Sequence, residues 1–583
     1  MIEEYTEAWD ELIAPGAQFA MKEIEVRGIP MRIFESAPPS MRFVWELAAG
    51  YGDRDYVVYE DERYTYAEAD AIVKALAAHL VDDHGVHRGD RVAVSMRNYP
   101  EWVFSYWAIV SIGAACVGMN AWWTTDEMKY GLSDSRPKVL ICDGERIERV
   151  APILDELRAD RPLHVIAVRH DASSGDLPNG ATRWEDVVDP TNAPESLPNV
   201  DIDPDDDACI FYTSGTTGFP KGAQLTHRGS VHNLMDLAFM AAVGGAATAK
   251  VAAKAGTDAT DSGIPDMTPG SDAPQNVFMA PTPLFHVTAN NCLLHPATLS
   301  GSRLVLTYKW DAGRALELIE REGVTNFSGV PTMSREMLMH PDWSTRDTSS
   351  LVGLGGGGAP LQPDLVDKID KSLKGGAPST GYGLTETHGI VTANSGQLYV
   401  AKPASCGRVV PVLDSKLVDE VGEEITTPGE RGELCVRGSV VIKGYINRPE
   451  ATAEGIRDGW FHTGDIAEID EDGFVFIVDR AKDMVLRGGE NVYCAEVEAG
   501  VYEHPDVAEA AVFGVPDDRL GEIVGVAIVR TPGSTLDADG LQEFMADKMA
   551  KFKIPERIWF LDEPLPRNAN GKFLKRELRD TLV

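Results

Sequence analysis

Short apolar runs alternate with amphipathic stretches along the chain from Tyr56 to about residue 400. A short apolar run bounded by turn residues predicts a buried strand, and apolar residues that repeat with the helical period predict a helix. The first predicted strands are 91–94, 138–142 and 165–168, and the first predicted helices are 67–80, 100–112 and 146–158. Later units of the same kind are 278–281, 304–306, 312–322 and 327–331. Strands that alternate with helices favour layered, parallel α/β sheets.

One uncharged segment is long enough to span a membrane, from residue 102 to residue 125. However, Pro100 and Glu101 are typical of a helix start, and Gly113 interrupts the segment before a strand-like run at 114–119. A buried helix followed by a core strand explains the pattern better. We therefore predict no transmembrane segment.

Residues 243–275 interrupt the alternation of strands and helices. They follow a helix predicted near 228–242 and are rich in Ala, Gly, Thr, Asp and Pro, without helical or strand periodicity. This composition predicts a solvated loop insertion, and a lid or partner-binding loop is the alternative.

The pattern changes beyond residue 400. The short predicted strands 432–442, 461–469 and 474–478 are separated by Gly and Asp-Gly turns, which favours an antiparallel sheet or a small β-barrel-like subdomain. A short α+β segment follows, with strands at 510–515 and 524–529 and helices near 495–502 and 537–550. We place the domain boundary at Lys482, giving an α/β N-terminal domain of residues 1–481 and an α+β C-terminal domain of residues 482–583.

Composition and charge narrow the classes of function. The chain has 583 residues and a net charge of −37, which argues against non-specific binding to nucleic acid or anionic membranes. Seven cysteines lie scattered without a CxxC pair, which favours a reduced protein without a disulfide framework or structural zinc. The first thirty residues lack the apolar core of a signal peptide. We therefore expect a cytoplasmic protein.

A loop rich in Gly and Thr, with the sequence YTSGTTGFPKG at 212–222, follows the apolar run 208–212. Such a loop can turn backbone N–H groups and hydroxyls onto an anion, and a nearby lysine adds a positive charge. The candidate phosphate ligands are Thr213, Ser214, Gly215, Thr216, Thr217, Gly218 and Lys221. The loop is not a Walker loop, because Gly222 stands where Ser or Thr would bind magnesium. A flexible hairpin is the plainer alternative.

A second glycine-rich stretch, LVGLGGGGAPL at 351–361, contains Gly353, Gly355 and Gly358 in GxGxxG spacing. A dinucleotide-binding fingerprint also needs an acidic residue at the end of a second strand, whereas Asp370 lies within the predicted helix 362–373. The position of Asp370 therefore argues against an NAD or FAD site at this stretch.

Eight ordered motifs together resemble the adenylate-forming superfamily, which includes acyl-CoA synthetases, luciferases and peptide-synthetase adenylation domains. They are YTSGTTGFPKG (212–222), PLFH (283–286), GGGGAP (355–360), TGYGLTET (380–387), GWFHTGD (459–465), DRAKDM (479–484), RGGENVYCAEVE (487–498) and PRNANGK (566–572). The resemblance covers residues 45 to 580. It implies a large N-terminal domain, a small mobile C-terminal lid and an active site between them.

The resemblance implies how ATP and Mg²⁺ are bound. Thr213 to Lys221 would wrap the β- and γ-phosphates, and Glu386 with Thr213 would hold Mg²⁺. Asp465 and Arg480 would contact the ribose, and Lys572 would bind the carboxylate and the α-phosphate. The residues that would border the adenine or the α-phosphate are Gly358, Ala359, Pro360, Gly381, Tyr382, Gly383 and Thr385.

The resemblance also implies a second half-reaction with coenzyme A. The small domain would swivel about Lys482 and replace the Lys572 loop by the loop with Gly488 and Gly489. Phe552 and Lys553 match positions that touch CoA in relatives, and the basic tail 551–583 is either a CoA-docking surface or a solvated end.

The remaining expectations concern the acid and the acceptor. By resemblance, His286 would gate the acyl pocket; a core histidine is the alternative. Glycines 355–358 carry no side chains and no Arg or Lys is apparent in the tunnel wall, so we predict an apolar acid. A medium- to long-chain fatty acid comes first, before a steroid side-chain or aryl acid.

The predicted function is therefore an ATP-dependent acyl-CoA ligase. A ligase that loads a carrier protein in trans, a non-catalytic nucleotide- or lipid-binding scaffold and a luciferase-like oxygenase are the alternatives. The sequence predicts no nucleic-acid partner and leaves a homodimer open.

Overall fold

The computed structural model describes residues 1–170, 175–213, 220–256, 274–358, 361, 363–480, 483–487, 490–546, 548–569 and 571–583. The described chain contains three large sheets and one short N-terminal hairpin. The first two sheets belong to the part before residue 481, and the third belongs to the C-terminal part. The α/β class predicted from the sequence is confirmed.

The first sheet has seven strands and is parallel except for one edge strand, Lys221–Thr226, which pairs antiparallel with Asp207–Thr213. In spatial order its strands are Lys221–Thr226, Asp207–Thr213, Ala115–Gly118, Arg91–Ser95, Val139–Asp143, His164–Val168 and Ala181–Arg183. The helices between them in the chain are Pro100–Ser111, Thr125–Ser135, Gly144–Val150, Leu154–Asp160 and Trp184–Val187. This sheet carries Thr213 and Lys221 on paired strands.

The uncharged segment 102–125 lies inside the protein, as the sequence predicts. The helix Pro100–Ser111 is buried along almost its whole length, and the strand Ala115–Gly118 is fully buried. The predicted single helix 146–158 is wrong, because it is divided into Gly144–Val150 and Leu154–Asp160 by the 3-10 turn Ala151–Ile153. Pro152 explains the break, since proline has no N–H for a helical hydrogen bond.

The second sheet has fifteen strands, of which six are parallel and the rest antiparallel. The parallel strands are Asp55–Tyr59, Arg303–Leu306, Val277–Ala280, Asn326–Gly329, Gly353–Gly357 and Ala377–Tyr382. The antiparallel strands are Glu62–Thr65, Thr392–Ser395, Gly407–Val409, Leu413–Val418, Glu424–Ile425, Arg431–Gly438, Ile456–Arg457, Trp460–Ile469 and Phe474–Arg480. The antiparallel strands predicted beyond residue 400 are therefore confirmed, and Gly407–Val409 joins them to the parallel part by pairing on both sides.

The other helices before residue 481 pack on these two sheets. They are Ile2–Ile13, Met41–Ala49, Tyr66–Asp82, His227–Ala255, Val287–Ala289, His295–Leu299, Ala312–Glu322, Pro331–Met339, Pro363–Ser372, Gly396–Ala401 and Pro449–Gly455. Short 3-10 turns occur at Pro190–Asn192, Pro341–Ser344 and Thr385–Thr387, and a π-helical segment occurs at Asn290–Leu294.

The prediction of a loop at 243–275 is wrong for the first part of that range. The helix His227–Ala255 continues through it and ends at Gly256, which has the left-handed φ of 69° typical of a helix C-terminus. The segment is rich in alanine, the residue with the highest helix propensity, although it lacks an aliphatic period. Residues 257–273 lie outside the described chain.

The helix His227–Ala255 is long and apolar enough to span a membrane, and within the described chain it is the one helix that meets this test. About half of its apolar window is buried inside the protein. The N-terminal helix Ile2–Ile13 packs against it, with the Trp9 ring 4.8 Å from the Phe239 ring and a salt bridge of 2.8 Å between Lys250 and Glu11. These contacts are those of a core helix.

The C-terminal part forms the third sheet, of five strands. Its strands are Val485–Arg487, Glu490–Val492, Val507–Asp517, Gly521–Arg530 and Arg557–Leu561, and its helices are Cys494–Tyr502, Ala538–Ala546 and Lys575–Leu582. Its contacts with the preceding part include the Arg335 guanidinium, 5.3 Å from the centre of the Tyr502 ring, and the Arg431 guanidinium, 4.8 Å from that of the Tyr493 ring. Asp479 also accepts a hydrogen bond from the Cys494 N–H.

The glycine-rich strand Gly353–Gly357 lies between two parallel neighbours, Asn326–Gly329 and Ala377–Tyr382. A Cβ on Gly355 would lie 2.0 Å from the carbonyl oxygen of Ser379, and one on Gly356 would lie 2.4 Å from that of Gly329. These two glycines therefore permit close approach of backbones. Their lack of side chains does not by itself indicate a deep acyl pocket.

We expect Gly355→Ala to lower the midpoint of thermal unfolding, because the added methyl group meets backbone that cannot move aside. Overpacking of this kind costs about 1–3 kcal/mol. Gly244→Ala is the matched control, since its Cβ would meet only the Ser395 Oγ, at 4.0 Å, and alanine favours a helix. Calorimetry that finds both variants equally stable would contradict this account of the strand.

Candidate active site

Thr213, Glu386 and Tyr445 meet at one point although they come from three separate segments. Glu386 is buried in the 3-10 turn Thr385–Thr387, and its Oε1 lies 3.5 Å from the Thr213 Oγ1. The Tyr445 hydroxyl donates to the same carboxylate oxygen at 2.8 Å. The Lys221 ammonium lies 5.3 Å from the centre of the Tyr445 ring. The structure thus brings the predicted metal ligands and the predicted phosphate-binding lysine together.

The oxygen atoms at this point fit a magnesium ion. Mg²⁺ prefers hard oxygen ligands and usually binds through one or two carboxylates together with substrate phosphates. Glu386 offers a carboxylate and Thr213 a hydroxyl, and Thr213 directly precedes residues 214–218, which are predicted to hold phosphates. Tyr445 was not predicted, because nothing in the sequence near residue 445 connects it with Glu386.

Asp465, Arg480 and Tyr382 form a second cluster. Asp465 and Arg480 are paired in register on the strands Trp460–Ile469 and Phe474–Arg480, with 3.0 Å between the Arg480 Nε and the Asp465 Oδ1. The Tyr382 hydroxyl donates to the Asp465 Oδ2 at 2.7 Å. Burial raises the pKa of Asp465, and the Arg480 charge opposes this rise. The structure brings these three residues together, with the Tyr382 hydroxyl on the carboxylate predicted to bind ribose.

Lys572 is presented by a tight hairpin of the C-terminal domain. The Asn568 side chain accepts from the Lys572 N–H at 3.0 Å, and the Lys572 carbonyl accepts from the Asn568 N–H at 2.9 Å. Gly571 has a φ of 78°, and a Cβ there would lie 2.9 Å from a methyl carbon of Val330. The Lys572 Cε lies 3.6 Å from the position that a Cβ on Gly358 would occupy. The hairpin therefore carries Lys572 to the end of the glycine-rich strand.

The electrostatic surroundings of Lys572 link it to both clusters. Burial and, to a smaller extent, the Arg480 charge lower the pKa of Lys572 to about 8, although Asp465 and Glu386 oppose the decrease. Burial also lowers the pKa of His286 to about 3, with a smaller contribution from Lys572. His286 is therefore neutral at neutral pH and lies within the field of Lys572.

We expect the rate of adenylate formation to decrease above pH 8. The pKa of Lys572 is lowered from 10.5 to about 8, so its positive charge is present below that pH and is lost as the pH rises through it. If the charged form is required, the rate decreases by about tenfold per pH unit at the alkaline limit. Carboxylate-dependent pyrophosphate exchange measured between pH 6 and 10 tests this. An alkaline limb that persists unchanged in Lys572→Arg would contradict the assignment.

The structure describes some of the other predicted site residues and not others. Gly381 pairs with Gly357 on the neighbouring strand, Thr385 begins the turn that carries Glu386, and a Cβ on Gly383 would lie 1.7 Å from the Gly389 carbonyl oxygen. Phe552 packs on the core of the C-terminal domain, and Lys553 forms a salt bridge of 2.5 Å with Glu496. The predicted residues outside the described chain are Ser214, Gly215, Thr216, Thr217, Gly218, Ala359, Pro360, Lys482, Gly488 and Gly489.

His388 is a site residue that the sequence analysis missed. It follows the turn Thr385–Thr387 with a left-handed φ of 58°. Its Nδ1 donates to the Val440 carbonyl at 2.7 Å, and its Nε2 accepts from the Thr226 N–H at 2.8 Å. Burial lowers the pKa of His388 to about 3. A neutral histidine thus fixes the turn that carries Glu386.

A buried amide network begins one turn after His286. The Asn290 N–H donates to the His286 carbonyl at 2.9 Å, where the π-helical segment Asn290–Leu294 begins. The Asn290 side chain donates to the Asn291 Oδ1 at 2.9 Å, and Asn291 donates to the His388 carbonyl at 2.8 Å. The buried Asn290 Oδ1 has no hydrogen-bond partner among the described residues. Most buried polar atoms have a hydrogen-bond partner, so this oxygen is unusual.

Two family models match the chain. The model of the AMP-binding enzymes covers residues 44–446, and that of the AMP-binding enzyme C-terminal domain covers residues 496–572. The chain belongs to the AMP-binding enzymes. The resemblance to the adenylate-forming superfamily is thereby confirmed, and this AMP-binding enzyme is an acid–thiol ligase.

Curated relatives match nearly the whole AMP-binding enzyme. A feruloyl-CoA synthase from Amycolatopsis sp. is 37% identical over 516 residues, which cover 88% of this chain and 93% of the relative. A long-chain-fatty-acid–CoA ligase from Escherichia coli O157:H7 is 33% identical, covering 92% and 93%. A 4-coumarate–CoA ligase from Oryza sativa subsp. japonica is 32% identical, covering 90% and 88%.

Solved structures show the same fold. ATP-bound MatB from Rhodopseudomonas palustris has a TM-score of 0.76 and 29% identity, and covers 92% of this chain and 98% of its own. The o-succinylbenzoate CoA synthetase MenE from Bacillus subtilis, in complex with the acyl-adenylate intermediate OSB-AMP, has a TM-score of 0.74 and 27% identity, covering 94% and 99%. The arrangement of a large N-terminal and a small C-terminal domain is shared with these enzymes.

Proposed function

We propose that this enzyme is an ATP-dependent acyl-CoA ligase that activates an aryl carboxylic acid with a polar ring substituent. It forms an acyl-adenylate with release of pyrophosphate, and then the CoA thioester with release of AMP. The observation that carries the proposal is the position of Lys572, whose pKa responds to Arg480, Asp465 and Glu386 together. One lysine thus lies between the candidate ribose site and the candidate magnesium site.

In the first half-reaction, a carboxylate oxygen of the acid attacks the α-phosphorus of ATP, and the bond to the β-phosphate oxygen breaks. Lys572 stabilises the negative charge that develops on the α-phosphate and holds the attacking carboxylate in line. Asp465 accepts hydrogen bonds from the ribose hydroxyls, and Arg480 holds Asp465 in place. Mg²⁺ held by Glu386 and Thr213 would neutralise charge on the phosphate oxygens.

In the second half-reaction, the thiol of CoA attacks the acyl carbon and AMP leaves. We propose that residues 482–583 act as a lid that rotates about Lys482, removing Lys572 and bringing the Gly488–Gly489 loop to the site. The C-terminal domain has its own sheet and its own hydrophobic core, which supports a lid that moves as one unit. Phe552 and Lys553, now within the C-terminal domain, would reach CoA after this rotation.

The amide network beside His286 favours an aryl acid with a polar substituent. The buried Asn290 Oδ1 lacks a partner among the described residues, and a ring hydroxyl on the substrate could donate to it. The feruloyl-CoA and 4-coumarate–CoA relatives support this class of acid. A medium- to long-chain fatty acid is the second candidate, supported by the 33% identical long-chain-fatty-acid–CoA ligase.

The test is AMP release by the purified enzyme with ATP, Mg²⁺ and CoA, across hydroxylated and plain aryl acids, fatty acids and steroid acids. We expect kcat/KM for a hydroxylated aryl acid to exceed that for its plain analogue by about tenfold, as one hydrogen bond allows. Fatty acids as the best substrates would establish the second candidate. Pyrophosphate release with an acyl-adenylate that stays bound, and no effect of CoA, would indicate a carrier protein as acceptor.

We expect Asn290→Leu to remove the preference for the hydroxylated acid, because leucine lacks the side-chain oxygen that would accept the hydrogen bond. The ratio of kcat/KM values between the two aryl acids should decrease to about one. Asn394→Leu is the matched control, since the Asn394 Oδ1 is also buried without a partner among the described residues. A preference that survives in Asn290→Leu would place the polar substituent elsewhere.

A further inference from the structure

Glu433, Cys435 and His462 form a cluster that the proposed function does not use. They lie on the neighbouring strands Arg431–Gly438 and Trp460–Ile469, where Cys435 and His462 are paired in register. One ligand atom from each residue lies within 4.8 Å of the other two. The cluster is distinct from the candidate magnesium ligands Glu386 and Thr213.

The three side chains converge on one point from two strands. The His462 Nδ1 lies 2.9 Å from the Glu433 Oε2 and 3.4 Å from the Cys435 Sγ. Cys435 is fully buried, whereas the side chains of His462 and Glu433 are 16% and 27% exposed. The cluster therefore has a buried sulfur ligand and one side that faces solvent.

We propose that Glu433, Cys435 and His462 bind one divalent transition-metal ion of the zinc type. Thiolate, imidazole and carboxylate are the zinc ligands of proteins, and metal–nitrogen and metal–oxygen bonds of about 2.0–2.1 Å place tetrahedral ligands roughly 3.3 Å apart. The observed N···O separation of 2.9 Å is somewhat shorter than that value. The observed N···S separation of 3.4 Å is close to the roughly 3.6 Å that a metal–sulfur bond of about 2.3 Å gives. Three protein ligands leave the fourth position to water on the exposed side.

The contacts around the cluster support this assignment. The Gly464 N–H donates to the Glu433 Oε1 at 3.0 Å, which orients the carboxylate and leaves the Oε2 directed at His462. Outer hydrogen bonds of this kind orient metal ligands. When the metal binds, the Cys435 thiol proton passes to solvent, and the imidazole binds through Nδ1 with its proton on Nε2. A water molecule completes the coordination.

Cobalt(II) is the probe for the test, because thiolate ligation gives it a charge-transfer absorption band and four-coordination gives it strong visible bands. The full-length enzyme, reduced and stripped with a chelator, is titrated anaerobically. We expect one Co²⁺ per chain with both kinds of band, and displacement by Zn²⁺ but not by Mg²⁺. Cys435→Ser should lose the charge-transfer band, and His462→Gln should weaken binding by about tenfold or more.

Cys406→Ser is the matched control, because Cys406 is also a thiol in this sheet region and contacts the Val475 carbonyl, not a histidine. It should retain the spectrum. A missing charge-transfer band in the unmodified enzyme, or a band that persists in Cys435→Ser, would overturn the proposal.

If His462→Gln does not fold, thermal unfolding of the other variants tests the proposal. A ligand that binds the folded state raises the unfolding midpoint. Zn²⁺ should therefore raise it in the unmodified enzyme and in Cys406→Ser but not in Cys435→Ser. The same increase in all three would overturn the proposal.

Discussion

Replacing Lys572 by alanine is expected to slow acyl-adenylate formation by about 10²- to 10³-fold while leaving the second half-reaction intact. The variant loses a cation that lies beside Gly358 and within the field of Asp465 and Glu386. Removing a group that stabilises transition-state charge typically lowers a rate by about 10²- to 10³-fold. Carboxylate-dependent pyrophosphate exchange measures the first half-reaction, and thioester formation from supplied acyl-adenylate and CoA measures the second.

Lys548→Ala is the matched control for this prediction, because Lys548 lies in the same domain and pairs with Glu503 near the surface. It should leave both half-reactions unchanged. Equal loss of both half-reactions in Lys572→Ala would contradict the proposal that the lid moves Lys572 away before thioester formation.

Replacing Asp465 by asparagine is expected to raise the KM for ATP by about tenfold to a hundredfold. The buried carboxylate accepts from Tyr382 and pairs with Arg480, and the amide would lose the charge that both the arginine and the ribose hydroxyls require. Hydrogen bonds to charged groups are worth about 1.5–3 kcal/mol, which corresponds to this range. The KM for ATP is measured by pyrophosphate exchange at saturating acid.

The control for Asp465→Asn comes from the same strand. Glu468 pairs with Arg431 at 2.5 Å in a partly exposed salt bridge, and such pairs contribute little to stability or binding. Glu468→Gln should therefore leave the KM for ATP unchanged. A normal KM together with a lower kcat in Asp465→Asn would show that Asp465 acts in the chemistry and does not bind the ribose.

The sequence predicted those parts of the fold whose pattern is local. The helix Ala312–Glu322 has the bounds expected from its apolar period, and the buried helix Pro100–Ser111 ends one residue early. The N-terminal helix Ile2–Ile13 and the extension of His227–Ala255 were missed. The two helices pack on each other, which no local pattern records, and the alanine-rich extension lacks an aliphatic period.

The residues of the candidate site likewise fall into those that sequence motifs predict and those that they do not. Motifs allowed Glu386, Asp465, Arg480 and Lys572 to be predicted as a group, and the structure brings them together. Tyr445, His388 and Asn290 were missed because each acts through a contact with a distant segment. The cluster of Glu433, Cys435 and His462 was missed for the same reason. These residues do not have the sequence spacing of a metal-binding motif, but they face each other across two strands.

The most direct test of the account is ATP–pyrophosphate exchange by the purified enzyme without CoA, followed by a single addition of CoA. The account predicts exchange only when a suitable carboxylic acid is present, and exchange slower by about 10²- to 10³-fold in Lys572→Ala. Addition of CoA should then convert the bound acyl-adenylate into thioester and release AMP. Exchange that does not depend on the acid, or AMP release that does not change on addition of CoA, would contradict the central claim that the site between Lys572, Asp465 and Glu386 makes an acyl-adenylate for transfer to CoA.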